Sequence, residues 1–383
     1  MRKKKLIILG STGSIGRSTL DVVRAHPDRF GIAALSAHTN ESKLLDQAKE
    51  FSVSVTALSG KNPESDLVTY LGERGIISMI EETEADMVVN GIAGSRGLLP
   101  SVAALSSGKD LALANKETII MAGELVTSLA GEKGRKIIPV DSEHSAIFHL
   151  LQKVQLSDVE EIILTASGGA FRDLSLDDLN HVTVEQALKH PTWNMGKKIT
   201  IDSATMANKG LEIIEANKLF SFPVDRIKVI IHPQSYVHSL IRTIDGALYS
   251  QISYPDMRLP IQNALTYPET SPFPFGRFKL TGEILTFQAP DSKKYPLLDL
   301  AYRAATEGRA YPIAYNAANE VAVSAFLKGK IHFTGIAPVV ERTLEYDWGN
   351  LLLSFEQVGE LDIRAREIAD HAIGEITGES ICF

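Results

Sequence analysis

Two carboxylates, Asp141 and Glu143, stand two positions apart in VDSEHSAIF (140–148), directly after the apolar run KIIPV. Like charges at the mouth of a strand repel each other. Either Asp141 or Ser142 caps the following helix and Glu143 favours its first turn, or the pair holds a cation. A hard divalent ion such as Mg²⁺ or Mn²⁺ prefers oxygen donors, and it needs a third ligand elsewhere. IDSATMANKGLEIIEA (201–216) offers one. Asp202 or Ser203 is placed to start a helix, on which Asn208, Glu212 and Glu215 share one face. Lys209 lies beside them. An acid with Asn and Lys one turn earlier can touch both a metal and a phosphate, whereas the plain alternative is a solvated helix face. Gly210 argues against that alternative, because glycine inside a helix costs about 1 kcal/mol relative to alanine.

Three further clusters carry polar groups. In ALANKETI (112–119), Asn115, Lys116 and Glu117 stand where a strand ends. Asn115 either caps a helix or joins Lys116 beside a ligand, where the ammonium can polarise an oxygen or pair with an acid. In TASGGAF (165–171), Ser167 and the amides of Gly168 and Gly169 can bind an anion. KHPTWNMGKK (189–198) holds His190, Trp193 and Met195 in a loop bounded by glycines, either a lid over a ligand or a surface loop whose tryptophan packs down.

These residues need a scaffold. Over the first 150 positions, short apolar runs (KLIIL, IAALS, VSVTAL, DMVVN, DLALAN, KIIPV) alternate with helical patterns, which predicts a parallel, doubly wound α/β sheet. GSTGSIG (10–16) follows the first strand. Its spacing is not G-x-G-x-x-G, but small residues there still let the backbone approach a pyrophosphate at a helix N-terminus; a tight strand–helix turn is the bland reading. The second strand ends in LSAHTN (35–40), with no acid before Glu41. An NAD site usually places an acid there. Asn40 can bond a ribose or phosphate oxygen, and His38 and Thr39 can serve a 2′-phosphate, so NADP(H) is favoured over NAD(H).

The chain's 383 residues allow roughly two to three domains. From about 151 the texture is α+β, and the end of the chain is mainly helical. We read a Rossmann-like domain over 1–150, an α+β catalytic and dimerisation domain over 151–286 with a lid at about 186–198, a linker over 287–310 and a C-terminal helical bundle over 311–383. A net charge of −8 and the lack of a long basic run beyond RKKK argue against nucleic-acid binding. The run LIIL is too short for a signal peptide, which needs about 7–15 apolar residues, and nothing approaches a membrane span. One cysteine, Cys382, leaves no intrachain disulfide. A cytoplasmic protein is expected.

GSTGSIG, ANKE, VDSEHSAIF, SGGAFRD, HPTWNMGKKITIDSATMANKGLEIIEA, HPQSYVHS and PDMRLPI occur together and in order. With them the chain resembles the 1-deoxy-D-xylulose 5-phosphate reductoisomerase family over essentially its whole length. The resemblance implies that Asp141, Glu143 and Glu212 bind the catalytic divalent cation, Mg²⁺ or Mn²⁺ with Co²⁺ as a further candidate. Ser142 and Lys116 match residues near the substrate's reacting oxygens. Ser167, Ser203, Asn208 and Lys209 match the phosphate-binding group, His190 the lid histidine and Trp193 the lid tryptophan. Thr12, Gly13, Ser14, Ile15, Asn40, Asn115, Glu117 and Gly196 match NADPH contacts, and Ser235 and Met257 further pocket positions. The implied reaction rearranges a ketose phosphate and reduces the product with NADPH to 2-C-methyl-D-erythritol 4-phosphate, in non-mevalonate isoprenoid biosynthesis. The family is typically a homodimer and is inhibited by fosmidomycin.

One departure stands out. Many relatives carry Gly and a basic residue before the match to Asn40, where this chain has His38 and Thr39. Three rivals are weaker. A semialdehyde dehydrogenase needs a thiol in its catalytic domain, and a nucleotide-sensing regulator needs a nucleic-acid surface. Another NADP-dependent reductase of a phosphorylated sugar is the remaining alternative.

Overall fold

The computed structural model describes residues 2–193, 195–349 and 351–378. Asn194, within the segment read as a lid, and Cys382 lie outside these. The chain divides into two units: residues 1–118, 126–148 and 256–277 form the first, and 119–125, 149–255 and 278–383 the second.

The first unit is built on seven strands: β1 (Lys4–Leu9), β2 (Phe30–Ala37), β3 (Val55–Leu58), β4 (Tyr70–Leu71), β5 (Met87–Asn90), β6 (Asp110–Leu113) and β7 (Ile137–Pro139). They lie in the order β4-β3-β2-β1-β5-β6-β7, and every pairing is parallel. Leu6 to Leu9 are wholly buried, as a central parallel strand covered on both faces requires. The order reverses at β1, so the β1–β5 pair is the switch point where ligands gather in such sheets. Leu9 is level with Asn90 in that pair, and the loops after both strands leave the same edge side by side.

Helices α1 (Ser14–Ala25), α2 (Glu41–Glu50), α3 (Gly72–Glu82), α4 (Leu98–Ser106), α5 (Lys116–Lys133) and α6 (Ser142–Leu151) each follow one of these strands, and β3 alone leads to the next strand without a helix. In α1, Gly16, Thr19, Leu20 and Val23 are buried, the 3–4-residue spacing of an amphipathic helix laid on a sheet.

The second unit holds a sheet in the order β11-β10-β8-β9, formed by β8 (Val159–Ala166), β9 (Ile227–Ile231), β10 (Val237–Thr243) and β11 (Leu248–Ile252). The sequence suggests one long strand through KVIIHPQSYVHSLIRT. The turn at 232–236, with Ser235 at φ 54°, divides it into β9 and β10. Helices α7 (Val184–Ala187), α8 (Lys197–Thr205) and α9 (Ala207–Phe220) complete the middle segment. Met206 at φ 61° ends α8, so α9 begins at Ala207 and Asp202 lies inside α8, not at a helix start.

The expected three-part division differs from the packing. Within the stretch read as a linker, Pro296–Glu307 is helix α11, and it buries Leu297, Leu298, Ala301 and Ala304. After α12 (Tyr311–Leu327), α13 (Ile336–Leu344) and α14 (Phe355–Thr377), the terminal helices belong to the second unit. Tyr315 Oη donates to Leu297 O at 3.0 Å, and Asn319 Nδ2 donates to Asp202 Oδ1 at 2.9 Å. Conversely, α10 (Arg258–Thr266) belongs to the first unit. There Lys4 Nζ donates to Leu265 O at 2.6 Å, His26 and Gln262 are hydrogen bonded at 2.9 Å, and Arg29 pairs with Glu269 at 2.6 Å. Among the described residues no helix is long and apolar enough to cross a membrane.

Candidate functional site

The glycine-rich turn after β1 is shaped for an anion. Gly10 adopts φ 72°, and a Cβ on Gly16 would lie 2.4 Å from both Gly10 O and Ser11 Cα. Only glycine at 16 lets α1 start this close to the strand. The N-cap of α1 is Gly13, which has no capping side chain, and the first turn contains no acid. Thr12, Gly13, Ser14 and Ile15 therefore lead into a helix N-terminus with neither a capping side chain nor a first-turn acid.

Asn115 ties the neighbouring loops together. Its Oδ1 accepts from Thr118 N–H at 3.0 Å and Thr118 Oγ1–H at 2.6 Å. Its Nδ2 lies 2.8 Å from both Ile92 O and Gly94 O and 2.9 Å from Glu117 Oε2. The capping expected of Asn115 is thus present, and the same side chain also fixes the loop after β5. Two residues that the sequence did not single out make this possible. A Cβ on Gly97 would come within 2.3 Å of the Asn115 amide, and buried Asn90 donates to Gly97 O at 2.9 Å.

Lys116, the first residue of α5, forms an ion pair with Asp141, and both are largely buried. Burial works to raise the Asp141 carboxyl. The Lys116 ammonium, His144 and a hydrogen bond with Glu143 outweigh it and hold Asp141 well below the usual carboxylate range. The Asp141 carbonyl accepts from Ser145 N–H at 2.8 Å and so opens α6. Beside it, Ser142 Oγ donates to Glu143 Oε2 at 2.6 Å.

In the second unit the face predicted over 208–215 forms on α9. Asn208 Nδ2 donates to Glu212 Oε1 at 2.6 Å, and Lys209 Nζ donates to Glu212 Oε2 at 2.5 Å. Glu212 and Glu215 are buried. Gly210 has a packing reason: a Cβ there would meet Tyr315 Oη at 2.6 Å and Ala301 Cβ at 2.7 Å. A solvated face is excluded.

Ser167, His190 and Ser203, which are far apart in sequence, converge. His190 Nε2 lies 3.1 Å from Ser167 Oγ and 3.0 Å from Ser203 Oγ. Its Nδ1 accepts from the N–H groups of Thr192 and Trp193 at 3.1 and 2.8 Å. With Nδ1 an acceptor, the neutral ring carries its proton on Nε2, aimed at the two hydroxyls. Gly169, at φ 71°, packs its backbone on α8 near Ser203. Trp193 is partly buried, and Gly196 is the N-cap of α8.

Burial pushes the His190 imidazole down from 6.5 to about 4. Between those values the unfolded chain binds more protons than the folded one, so stability rises with pH there. The contribution of the neutral ring is present above about 6.5 and is lost as pH falls towards about 4. An imidazole NMR titration should find the ring neutral at pH 6; a midpoint at the ordinary value removes the buried arrangement.

Three segments match models of one family: residues 6–123 match "1-deoxy-D-xylulose 5-phosphate reductoisomerase", 137–220 its C-terminal domain, and 252–368 a "DXP reductoisomerase C-terminal domain". A curated relative from Geobacter metallireducens, named 1-deoxy-D-xylulose 5-phosphate reductoisomerase, is 50% identical, covering 97% of this chain and 99% of its own. The chain belongs to the 1-deoxy-D-xylulose 5-phosphate reductoisomerase family. Solved structures of this reductoisomerase family are similar across the chain. One is a crystal structure of DOX-P reductoisomerase in complex with NADPH, fosmidomycin and magnesium, with a TM-score of 0.91 at 39% identity, covering 98% of this chain and 100% of that one. Another is the reductoisomerase from Zymomonas mobilis in complex with NADPH, with a TM-score of 0.89 at 39% identity, covering 97% of this chain and 99% of that one.

The residues present fit the reductoisomerase ligands. The uncapped α1 N-terminus and the glycine turn suit a pyrophosphate. Asp141, Glu143 and Glu212 are oxygen donors of the kind a hard cation selects. Outside these groups, Lys218 donates to Ile120 O at 3.0 Å, near the break in α5 at Ala122, and burial pushes its ammonium down to about 8. Its lone position in NKLF gives no pattern to find it by.

Proposed function

We propose that the chain converts 1-deoxy-D-xylulose 5-phosphate to 2-C-methyl-D-erythritol 4-phosphate, with NADPH and a divalent cation, in isoprenoid precursor biosynthesis. The observation that carries this is the Asn208–Lys209–Glu212 cluster, one acid held by an amide and a cation inside a helix, in a chain of this family. When bound, NADPH would supply a hydride and the cation Lewis-acid polarisation of the substrate.

The chain's own residues then have distinct tasks. Asp141, Glu143 and Glu212 are the ligands we assign to the cation. Lys116 offsets the negative charge of the three carboxylates, and Ser142 faces the reacting oxygens. Ser167, Ser203, Asn208 and Lys209 bind the phosphate, a remote handle whose binding energy orients the reacting end. His190 offers its Nε2 proton to the substrate side, and Trp193 covers the ligand and excludes water. Thr12 to Ile15, His38, Thr39, Asn40, Asn115, Glu117 and Gly196 serve the dinucleotide; Ser235 and Met257 line the pocket.

The reading extends to a cytoplasmic homodimer. β11 is an edge strand and exposes Leu248, Tyr249 and Ile252. An apolar edge of this kind invites a partner strand.

An NADPH-oxidation assay with deoxyxylulose phosphate, with and without Mg²⁺ or Mn²⁺, tests the reaction. Metal-dependent oxidation is expected, and activity only with a different phosphorylated sugar would replace this reading with the alternative reductase. In the same assay Lys209→Ala should raise the Michaelis constant about tenfold or more, the worth of a charged hydrogen bond. An unchanged constant takes Lys209 out of the phosphate group.

A further inference from the structure

Beyond the end of β2, the first unit contains a cavity of about 600 Å³. Thr39, Asn40, Ser42 and Ser65 line it with hydroxyl and amide groups, and Lys61 is the one cation among its lining residues. In a dinucleotide fold this end of the second strand receives the adenosine ribose, where an acid suits NAD and a cation accommodates a 2′-phosphate. The acid at this point, Glu41, lines the cavity as Glu64 does, but its carboxylate is held by backbone amides. Its carboxylate accepts from Glu64 N–H at 3.0 and 2.8 Å and from Ser65 N–H at 2.8 Å. It thereby ties the loop after β3 to the start of α2.

That loop carries Lys61. Its Nζ lies 2.9 Å from Glu64 Oε1 and 3.6 Å from Glu41 Oε2. Glu64 is largely exposed, with 84% of its side chain accessible, and an exposed pair of this kind is weak. His38 supports the loop. Its Nδ1 lies 3.0 Å from Ser59 Oγ, and its ring sits so close to Gly60 that a Cβ there would come within 2.4 Å.

We propose that Lys61 selects NADPH over NADH in this chain, leaving Glu64 to pair with the 2′-phosphate while Thr39 and Ser42 donate hydrogen bonds to it. The proposal rests on reading the first unit as the NADPH site. It assigns the selecting charge to the loop after β3, because the position before Asn40 is the uncharged Thr39. His38 is then a positioning residue for that loop.

The test is equilibrium binding of NADPH and of NADH, without substrate, to the full chain and its variants. Lys61→Met should weaken NADPH about ten- to a hundredfold, as loss of a charge-assisted hydrogen bond does, and leave NADH binding as it was. Glu64→Gln, at an exposed site that folding tolerates, should tighten NADPH alone by removing the competing acid. Lys61→Arg should keep the preference. An unchanged ratio of the two affinities in Lys61→Met overturns the assignment. So does a Glu64→Gln variant that binds NADPH no better. If the unsubstituted chain binds neither dinucleotide, the functional reading falls with it.

Discussion

Glu212→Gln is expected to cut metal-dependent turnover by roughly a hundred- to a thousandfold while NADPH still binds. A bound cation supplies several kcal/mol of charge stabilisation in a reaction of this kind, and about 1.36 kcal/mol is a factor of ten in rate. Glutamine keeps the shape and the contact with Asn208 but removes the charge. Lys209, itself buried, then loses the anion at 2.5 Å from its Nζ, and breaking one side of a buried pair costs about 3–5 kcal/mol. The loss should therefore appear in turnover and in melting temperature together. NADPH titration of the same sample reports on the first unit independently. Full turnover in this variant would remove Glu212 from the metal set.

Gly169→Ala should be nearly as damaging, through the backbone. Alanine at φ 71° pays about 1–2 kcal/mol for the left-handed conformation. Its Cβ would also lie 2.5 Å from Ser203 O and 2.6 Å from Ala204 Cα, backbone atoms of α8 that cannot swing aside. Overpacking adds about 1–3 kcal/mol. The strain falls on Ser203, one of the two hydroxyls against His190 Nε2. Expected are a lower melting temperature, a raised Michaelis constant for the phosphorylated substrate, and an imidazole that titrates closer to its ordinary value. Unaltered values for all three would mean that α8 can shift without disturbing the cluster.

The parts of the fold that sequence made legible are those where one local rule dominates. LIIL, MVVN and the intervening helical stripes fit only a parallel sheet covered on both faces, and that sheet is present. Asn115 and Gly134 bracket α5 as cap signals should. What stayed hidden depends on single backbone choices or on packing. Nothing in the type of Met206 announces a left-handed residue, so the start of α9 lies five residues after Asp202. Tyr70–Leu71 is too short to register as a strand. Among the candidate site residues, types and spacing on one helix disclosed Asn208, Lys209 and Glu212. The convergence of Ser167, His190 and Ser203 came from resemblance, because three loops or helix ends share no local pattern. Lys61 was invisible for the same reason: it approaches the cavity from a loop more than twenty residues after Asn40.

The return of α10 to the first unit has a consequence for how the chain is made. Lys4, His26 and Arg29 find partners at Leu265, Gln262 and Glu269. A ribosome delivers these contacts only after the whole middle segment has emerged. Until then the β1–α1 region is exposed where α10 will cover it, and such unfinished surfaces are prone to aggregate. Contacts this distant in sequence also slow folding. The first unit therefore cannot mature on its own schedule during synthesis, and a chain released at residue 255 should be a client of chaperones, not a smaller working domain.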